Sequence, residues 1–187
     1  ELAREYGLRN ADKKDSQGIC FIGKVKMVDF LRAHLPDKPG PVYEAESGRY
    51  LGKHLGLHLY TIGQGRGVGI ASPHKGRGYV VVRKDWERNA LIMALEGEDA
   101  PGLYEKVCWL NDVSWPGSEL KIPGEYGVRP RYRAAAERAL VSKDGEWVKV
   151  EFEKPQRALT LGQVAVLYDG ERVAGAGFIA MVGERKF

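Results

Sequence analysis

Apolar positions recur with helical spacing near the start of this 187-residue chain and with a period of two over most of the rest. Leu2, Ala3 and Tyr6 fall on one helical face, and Gly7 is placed to end that turn. Across residues 24–34, Met27, Phe30, Leu31 and His34 follow the i, i+3, i+4, i+7 pattern of an amphipathic helix. Pro36, Pro39, Gly40 and Pro41 stop it and read as a linker. Strand patterns dominate from there. Residues 42–46 and 49–54 flank Ser47-Gly48 and predict a β-hairpin, and 78–86 and 89–95 predict a second strand pair turning at Glu87-Arg88. Residues 146–152 place Val148, Val150 and Phe152 on one face and Lys149 and Glu151 on the other, as a half-buried strand does. Residues 164–168 and 173–182 are more continuously apolar, with Asp169-Gly170 as the hairpin turn between them. Several short strands with turn signals predict a small β-barrel in the C-terminal third.

Composition narrows the class. Hydrophobic residues make up 43% and charged residues 29%, ordinary for a globular protein, and no apolar run reaches bilayer length, so no membrane partner is expected. Two widely separated cysteines, Cys20 and Cys108, argue against a disulfide framework and fit a cytoplasmic, reducing setting. The net charge of +4 is mild, but its distribution is uneven. Residues 62–84 carry Arg66, Lys75, Arg77, Arg83 and Lys84 with no acid, and residues 126–136 carry Arg129, Arg131 and Arg133 with no acid. That pattern is compatible with a nucleic-acid partner. The chain opens at Glu1 inside a helical pattern, as expected of a piece of something longer. Gly63-Gln64-Gly65-Arg66-Gly67-Val68-Gly69 has the look of a phosphate loop, but its spacing gives neither a dinucleotide fingerprint nor a P-loop, and it reads as a tight or flexible turn.

Four sets of residues are candidates for chemistry. Cys20 follows Gly18 in a polar loop, Asp12 to Ser16, that turns into an apolar run. Two readings of it stand together: an accessible thiol whose thiolate the neighbouring lysines favour, or a small hydrophobe at a strand start. Cys108, between Val107 and Trp109, reads as a core thiol. His54 and His58 are four apart, but Gly52 and Gly56 argue against the helix that would bring them onto one metal. Arg129, Arg131 and Arg133 alternate along a predicted strand, which would put three guanidiniums on one face, with Pro130 requiring an edge or a bulge. RNA phosphates are their natural partners, and a solvated barrel wall is the alternative.

Longer stretches then resemble a known family. Asp15-Ser16-Gln17-Gly18-Ile19-Cys20-Phe21-Ile22-Gly23 is similar to the second-cysteine motif of the bacterial and mitochondrial tRNA-specific 2-thiouridylases. The likeness continues through Gly56-Leu57-His58-Leu59-Tyr60-Thr61-Ile62-Gly63-Gln64, Arg131-Tyr132-Arg133, Phe152-Glu153-Lys154-Pro155-Gln156-Arg157-Ala158 and Gly162-Gln163-Val164-Ala165-Val166-Leu167-Tyr168-Asp169-Gly170. The resemblance implies an enzyme that puts sulfur on carbon 2 of the wobble uridine, position 34, in tRNAs for Lys, Glu and Gln. ATP, with magnesium, activates the base, and a cysteine persulfide charged by a sulfur donor or relay protein supplies the sulfur. It assigns the persulfide to Cys20 and tRNA contacts to Arg131, Tyr132 and Gln163, beside the flanking Arg129 and Arg133. Gln17, Lys24-Val25 and Gly65 depart from the family's usual residues. The family's Ser-Gly-Gly-x-Asp-Ser nucleotide loop and its first catalytic cysteine do not occur in this sequence. The resemblance therefore implies the C-terminal half of such an enzyme, inactive alone, with no cofactor of its own.

The expected fold is mainly β with some α. Residues 1–35 form the remnant of an α/β catalytic domain of the ATP-pyrophosphatase type, 36–104 a small central β-rich domain, and 105–187 an antiparallel β-barrel. A stand-alone RNA-binding barrel and an RNA-independent sulfur carrier or thiol redox protein are the competing functional classes.

Overall fold

The computed structural model describes residues 2–7, 27–72, 74–117 and 120–183. Cys20, its loop and the first turn predicted for the second helix lie outside them. The chain divides into two compact units, Glu1–Asp37 and Lys38–Phe187.

The first unit holds α1 (Leu2–Glu5) and α2 (Met27–His34). Gly7 closes α1 in the left-handed region, φ 63°, with its N–H on the Arg4 carbonyl at 3.0 Å. On α2, the His34 ring stacks 4.5 Å from Phe30, and Arg32 pairs with Asp37 at 3.2 Å just past the helix end. No helix among the described residues is long and apolar enough to cross a membrane.

The second unit is almost entirely β. Strands β1 (Gly40–Glu44), β2 (Tyr50–His54), β3 (Tyr79–Asp85) and β4 (Ala90–Leu95) form a sheet in the order β2-β1-β4-β3, with β1 and β4 parallel and the other pairs antiparallel. Both predicted strand pairs are present. The linker ends sooner than its prolines suggested, because β1 begins at Gly40 and Pro41 pairs with Lys53 near the strand start, where a missing N–H is tolerated. The β1–β2 turn is tied by Gly48, φ 67°, whose N–H reaches the Glu44 carbonyl at 3.0 Å. Glu44 also accepts from the Ser47 hydroxyl and, at 2.7 Å, from the Tyr79 phenol. Those two bonds, the Ser47 one foremost, hold its carboxyl below the usual carboxylate range. His54 is fully buried, and its Nε2 donates to the Asn89 carbonyl at 2.9 Å. Its place is that of a structural histidine pinning the β3–β4 turn, while Asn89 holds the Lys38 and Pro39 carbonyls at the entrance to β1.

Strands β5 (Tyr104–Ser114), β6 (Gly124–Arg129), β7 (Glu137–Asp144), β8 (Trp147–Arg157), β9 (Val164–Asp169) and β10 (Arg172–Val182) close into a barrel in the order β10-β5-β8-β7-β6-β9. Its interior is filled by alternating inward residues, among them Cys108, Leu110, Val128, Val141, Val150, Phe152, Leu167 and Ile179. Val148, Val150 and Phe152 point inward as the period-two pattern requires. On β10 the continuous apolar run reflects irregular pairing, with register shifts at Val173/Gly175, Ala176/Phe178 and Ile179/Met181.

Sheet and barrel meet at one seam. Arg157, the last residue of β8, donates through Nη2 to the Gly63 carbonyl at 3.1 Å and to Glu96 at 2.6 Å. Ala158 follows in the left-handed region, φ 54°, and its N–H reaches the Leu103 carbonyl at 2.7 Å. Val80, Val82, Ala94, Ala100 and Leu103 pack around Ala158. Gly63 itself has φ 83°, and a Cβ there would stand 2.9 Å from the Ala158 methyl. Both the backbone angle and the missing side chain are therefore required. Gly63→Ala is expected to destabilise the chain by about 2 kcal/mol, from left-handed strain plus the clash. Urea denaturation checks this, and a wild-type midpoint would mean that the seam tolerates a side chain.

Candidate nucleic-acid interface

The candidate RNA residues cluster around the end of β6, though not as their alternation suggested. The strand ends at Arg129, so Arg129, Arg131 and Arg133 do not share a strand face. Pro130 has no N–H with which to continue the ladder and is buried where the strand stops. Residues 131–133 form an exposed turn, with the Ala134 N–H on the Arg131 carbonyl at 3.2 Å and Arg133 in the left-handed region at φ 68°. Tyr132 is 85% exposed, and the Arg133 guanidinium lies over its ring at 5.6 Å. A strand would have turned Tyr132 away from its neighbouring arginines, whereas the turn presents Arg131, Tyr132 and Arg133 to solvent together.

Arg129 is placed differently. It is half-buried on the barrel wall, 5.2 Å over the Tyr168 ring, and its Nε is buried with no hydrogen-bond partner. Gln163 is exposed just before β9, where its carbonyl accepts the Ile179 N–H at 2.8 Å. Arg129 pairs with Val166 in the antiparallel β6–β9 ladder. That register brings the exit of β6 and the start of β9 to the same end of the barrel, so the Arg131–Tyr132–Arg133 turn and Gln163 belong to one surface. Exposed guanidiniums, a free phenol ring and an amide suit phosphates and unstacked bases.

Cys108 is fully buried in the barrel, and burial pushes its thiol up to about 12. At neutral pH almost none of it is thiolate, so it cannot act as a nucleophile. The glycine-rich loop, which has no P-loop spacing, begins as a tied turn. The Gly63 N–H is taken by the Val81 carbonyl at 2.7 Å, the Gln64 N–H by the Thr61 carbonyl at 3.0 Å, and the Gln64 amide bonds Thr61 and Arg66. These donors at the start of the loop serve the fold, as in a structural turn.

Three residues were given no role by the sequence reading. Arg157 was visible only as part of a family motif, and its partners lie far away along the chain. Lys84 and Trp86 stand over a cleft between sheet and barrel, with Lys84 Nζ 5.7 Å from the Trp86 ring centre. The acid-free run ending at Lys84 was the available signal.

The site thus sits on a six-stranded closed barrel joined to a small mixed sheet, with arginines and an exposed tyrosine at one end of the barrel. Residues 28–95 match the family described as tRNA methyl transferase PRC-barrel domain, and residues 105–179 match the Aminomethyltransferase beta-barrel domain. Over 183 residues the chain is 49% identical to the tRNA-specific 2-thiouridylase MnmA of Akkermansia muciniphila, covering 97% of this chain and 50% of that protein. Against the protein of the same name from Cupriavidus pinatubonensis it is 42% identical, covering 96% and 50%, and against that of Bordetella pertussis 43%, covering 95% and 50%. The chain belongs to the tRNA-specific 2-thiouridylase family, as its C-terminal half. It spans about half the length of the curated relatives it matches.

Under native conditions Cys108 is expected to resist iodoacetamide at neutral pH and to react only once the barrel unfolds. Peptide mass mapping with and without denaturant checks this, and rapid native labelling at Cys108 would contradict its burial.

Proposed function

We propose that this chain is the sulfur-bearing and tRNA-holding half of an enzyme that thiolates carbon 2 of the wobble uridine. The observation that carries the reading is the 49% identity, across 97% of the chain, to a protein named tRNA-specific 2-thiouridylase. The exposed Arg131–Tyr132–Arg133 turn beside Gln163 supports it, because it offers charge and a stacking surface for RNA. Its substrates are the tRNAs for Lys, Glu and Gln.

In this reading Cys20 carries a persulfide received from a sulfur donor or relay protein. The outer sulfur is the nucleophile toward carbon 2 of the activated uridine, which must be held out of the anticodon stack to be reached. The thiol that resolves the intermediate is not Cys108, which is buried and protonated. In this reading the ATP and magnesium used by the family, and with them activation of the uridine, belong to the part of the enzyme outside this chain, which carries no Ser-Gly-Gly-x-Asp-Ser nucleotide loop. We divide the chain at 1–35, 36–104 and 105–187. The family matches at 28–95 and 105–179 and the compact unit beginning at Lys38 support the division at 104/105 and the one near residue 36.

In the full-length enzyme, Cys20→Ser is expected to abolish 2-thiouridine formation, measured by mass spectrometry of tRNA nucleosides, while tRNA affinity stays within about twofold. Normal thiolation by that variant would remove Cys20 from the chemistry. Arg131→Ala is expected to weaken tRNA binding and lower the salt slope by about 1 without changing persulfide loading of Cys20. An unchanged affinity and slope would make the arginine turn a solvated surface.

A further inference from the structure

A cleft of about 940 Å³ opens between the four-stranded sheet and the barrel. That volume lies at the upper end of the roughly 300–1,000 Å³ range of small-molecule sites. Ile62 and Val82 from the sheet side and Leu159, Leu161 and Met181 from the barrel side give it apolar walls. Trp86, 65% exposed, and the cations Arg83 and Lys84 stand at it. Lys84 is half-buried and has no carboxylate partner among the described residues. Burial pushes its ammonium below the usual lysine range, the mark of a cation short of both water and counter-ion. One carboxylate, Glu105, also lines the cleft, beside Gly183. Asp85, whose Oδ1 accepts the Arg88 N–H at 3.0 Å, forms no ion pair with Lys84.

We propose that this cleft holds an unpaired nucleotide of the bound tRNA, with its base against the Trp86 indole and its phosphate facing Lys84 and Arg83. The proposal rests on the RNA-binding reading above and locates a second grip for it. An indole with open surface stacks any base, and a base needs no built hydrogen-bond pattern to be held that way. Two cations match the single charge of a phosphodiester better than the multiple charges of a free triphosphate. A triphosphate would also want backbone amides, and the nearby Gly63 and Gln64 N–H groups are already bonded within the fold. The barrel wall of the cleft continues into the candidate RNA surface, since Leu161 lies two residues before Gln163. Residues 62–84, which lead into the cleft, contain no acid.

Anisotropy titrations of a labelled wobble-uridine tRNA transcript against the full-length protein test this, with AMP as a competitor. Trp86→Ala is expected to weaken tRNA binding about tenfold, and Trp86→Phe, which keeps an aromatic face, to recover most of it. Lys84→Gln is expected to reduce the slope of log K against log salt by about 0.7–0.9. Any competition by AMP is expected to be the same in Trp86→Ala as in the wild type, because it acts outside the cleft. Wild-type affinity and salt slope in Trp86→Ala and Lys84→Gln, while Arg131→Ala still weakens binding, would overturn the cleft and leave RNA binding in place. Tight competition by AMP that Trp86→Ala abolishes would make the cleft a mononucleotide site, and a lowered melting temperature matching the lost affinity in Trp86→Ala would make Trp86 a folding residue. Either result overturns the proposal. Absence of any tRNA binding by the wild-type protein would remove the functional reading along with it.

Discussion

The contact between Arg157 and Gly63 holds the molecule's two β structures in one compact unit. A guanidinium at the end of β8 binds a carbonyl of the glycine-rich loop and the Glu96 carboxylate just past β4, and Ala158 then turns left-handed so that its amide meets Leu103. The polar bonds give direction to a join whose adhesion comes from Val80, Val82, Leu103 and their neighbours. Arg157 is partly exposed, so its ion pair with Glu96 adds modestly to stability. Its value lies in the planar fork, which fixes the loop against the barrel end. The cleft beside Trp86 exists because sheet and barrel are held at this seam and do not close against each other along their whole length.

Closing the barrel frees its outer surface. Every interior position is filled by side chains from alternating strand positions, and the ladder leaves no open edge to be covered. The outward residues at the β6–β9 end can therefore be chosen for contact with a partner. Pro130 sharpens the division: it ends the strand, buries its own ring, and pushes Arg131, Tyr132 and Arg133 out as a turn. Arg129, one residue earlier, stays in the wall against Tyr168. Two arginines on an exposed turn and one set over an aromatic ring are different tools, although the sequence spaces them evenly.

Cys108 shows how burial quiets a thiol. Cys108 has apolar neighbours in sequence and apolar neighbours in space, and losing solvent keeps its proton on. Cys20 lies outside the described residues, and in sequence it follows a polar stretch that holds Lys13 and Lys14.

Much of the architecture was legible in the chain itself. The period-two pattern of Val148, Val150 and Phe152, the Ser47-Gly48 and Asp169-Gly170 turns and the helix stop at Gly7 depend on local backbone preferences and on one-sided burial, and these leave their mark within a few residues. Cys108 could be assigned to the core for the same reason. The three arginines could not be read that way, because alternation predicts a shared face only while a strand continues, and Pro130 ends it. The seam of Arg157, Gly63 and Glu96 and the cleft of Lys84, Trp86 and Leu161 join positions tens of residues apart. Such groupings arise only when the sheet packs on the barrel, so tertiary structure alone decided them; the sequence determined which strands form and which faces they bury.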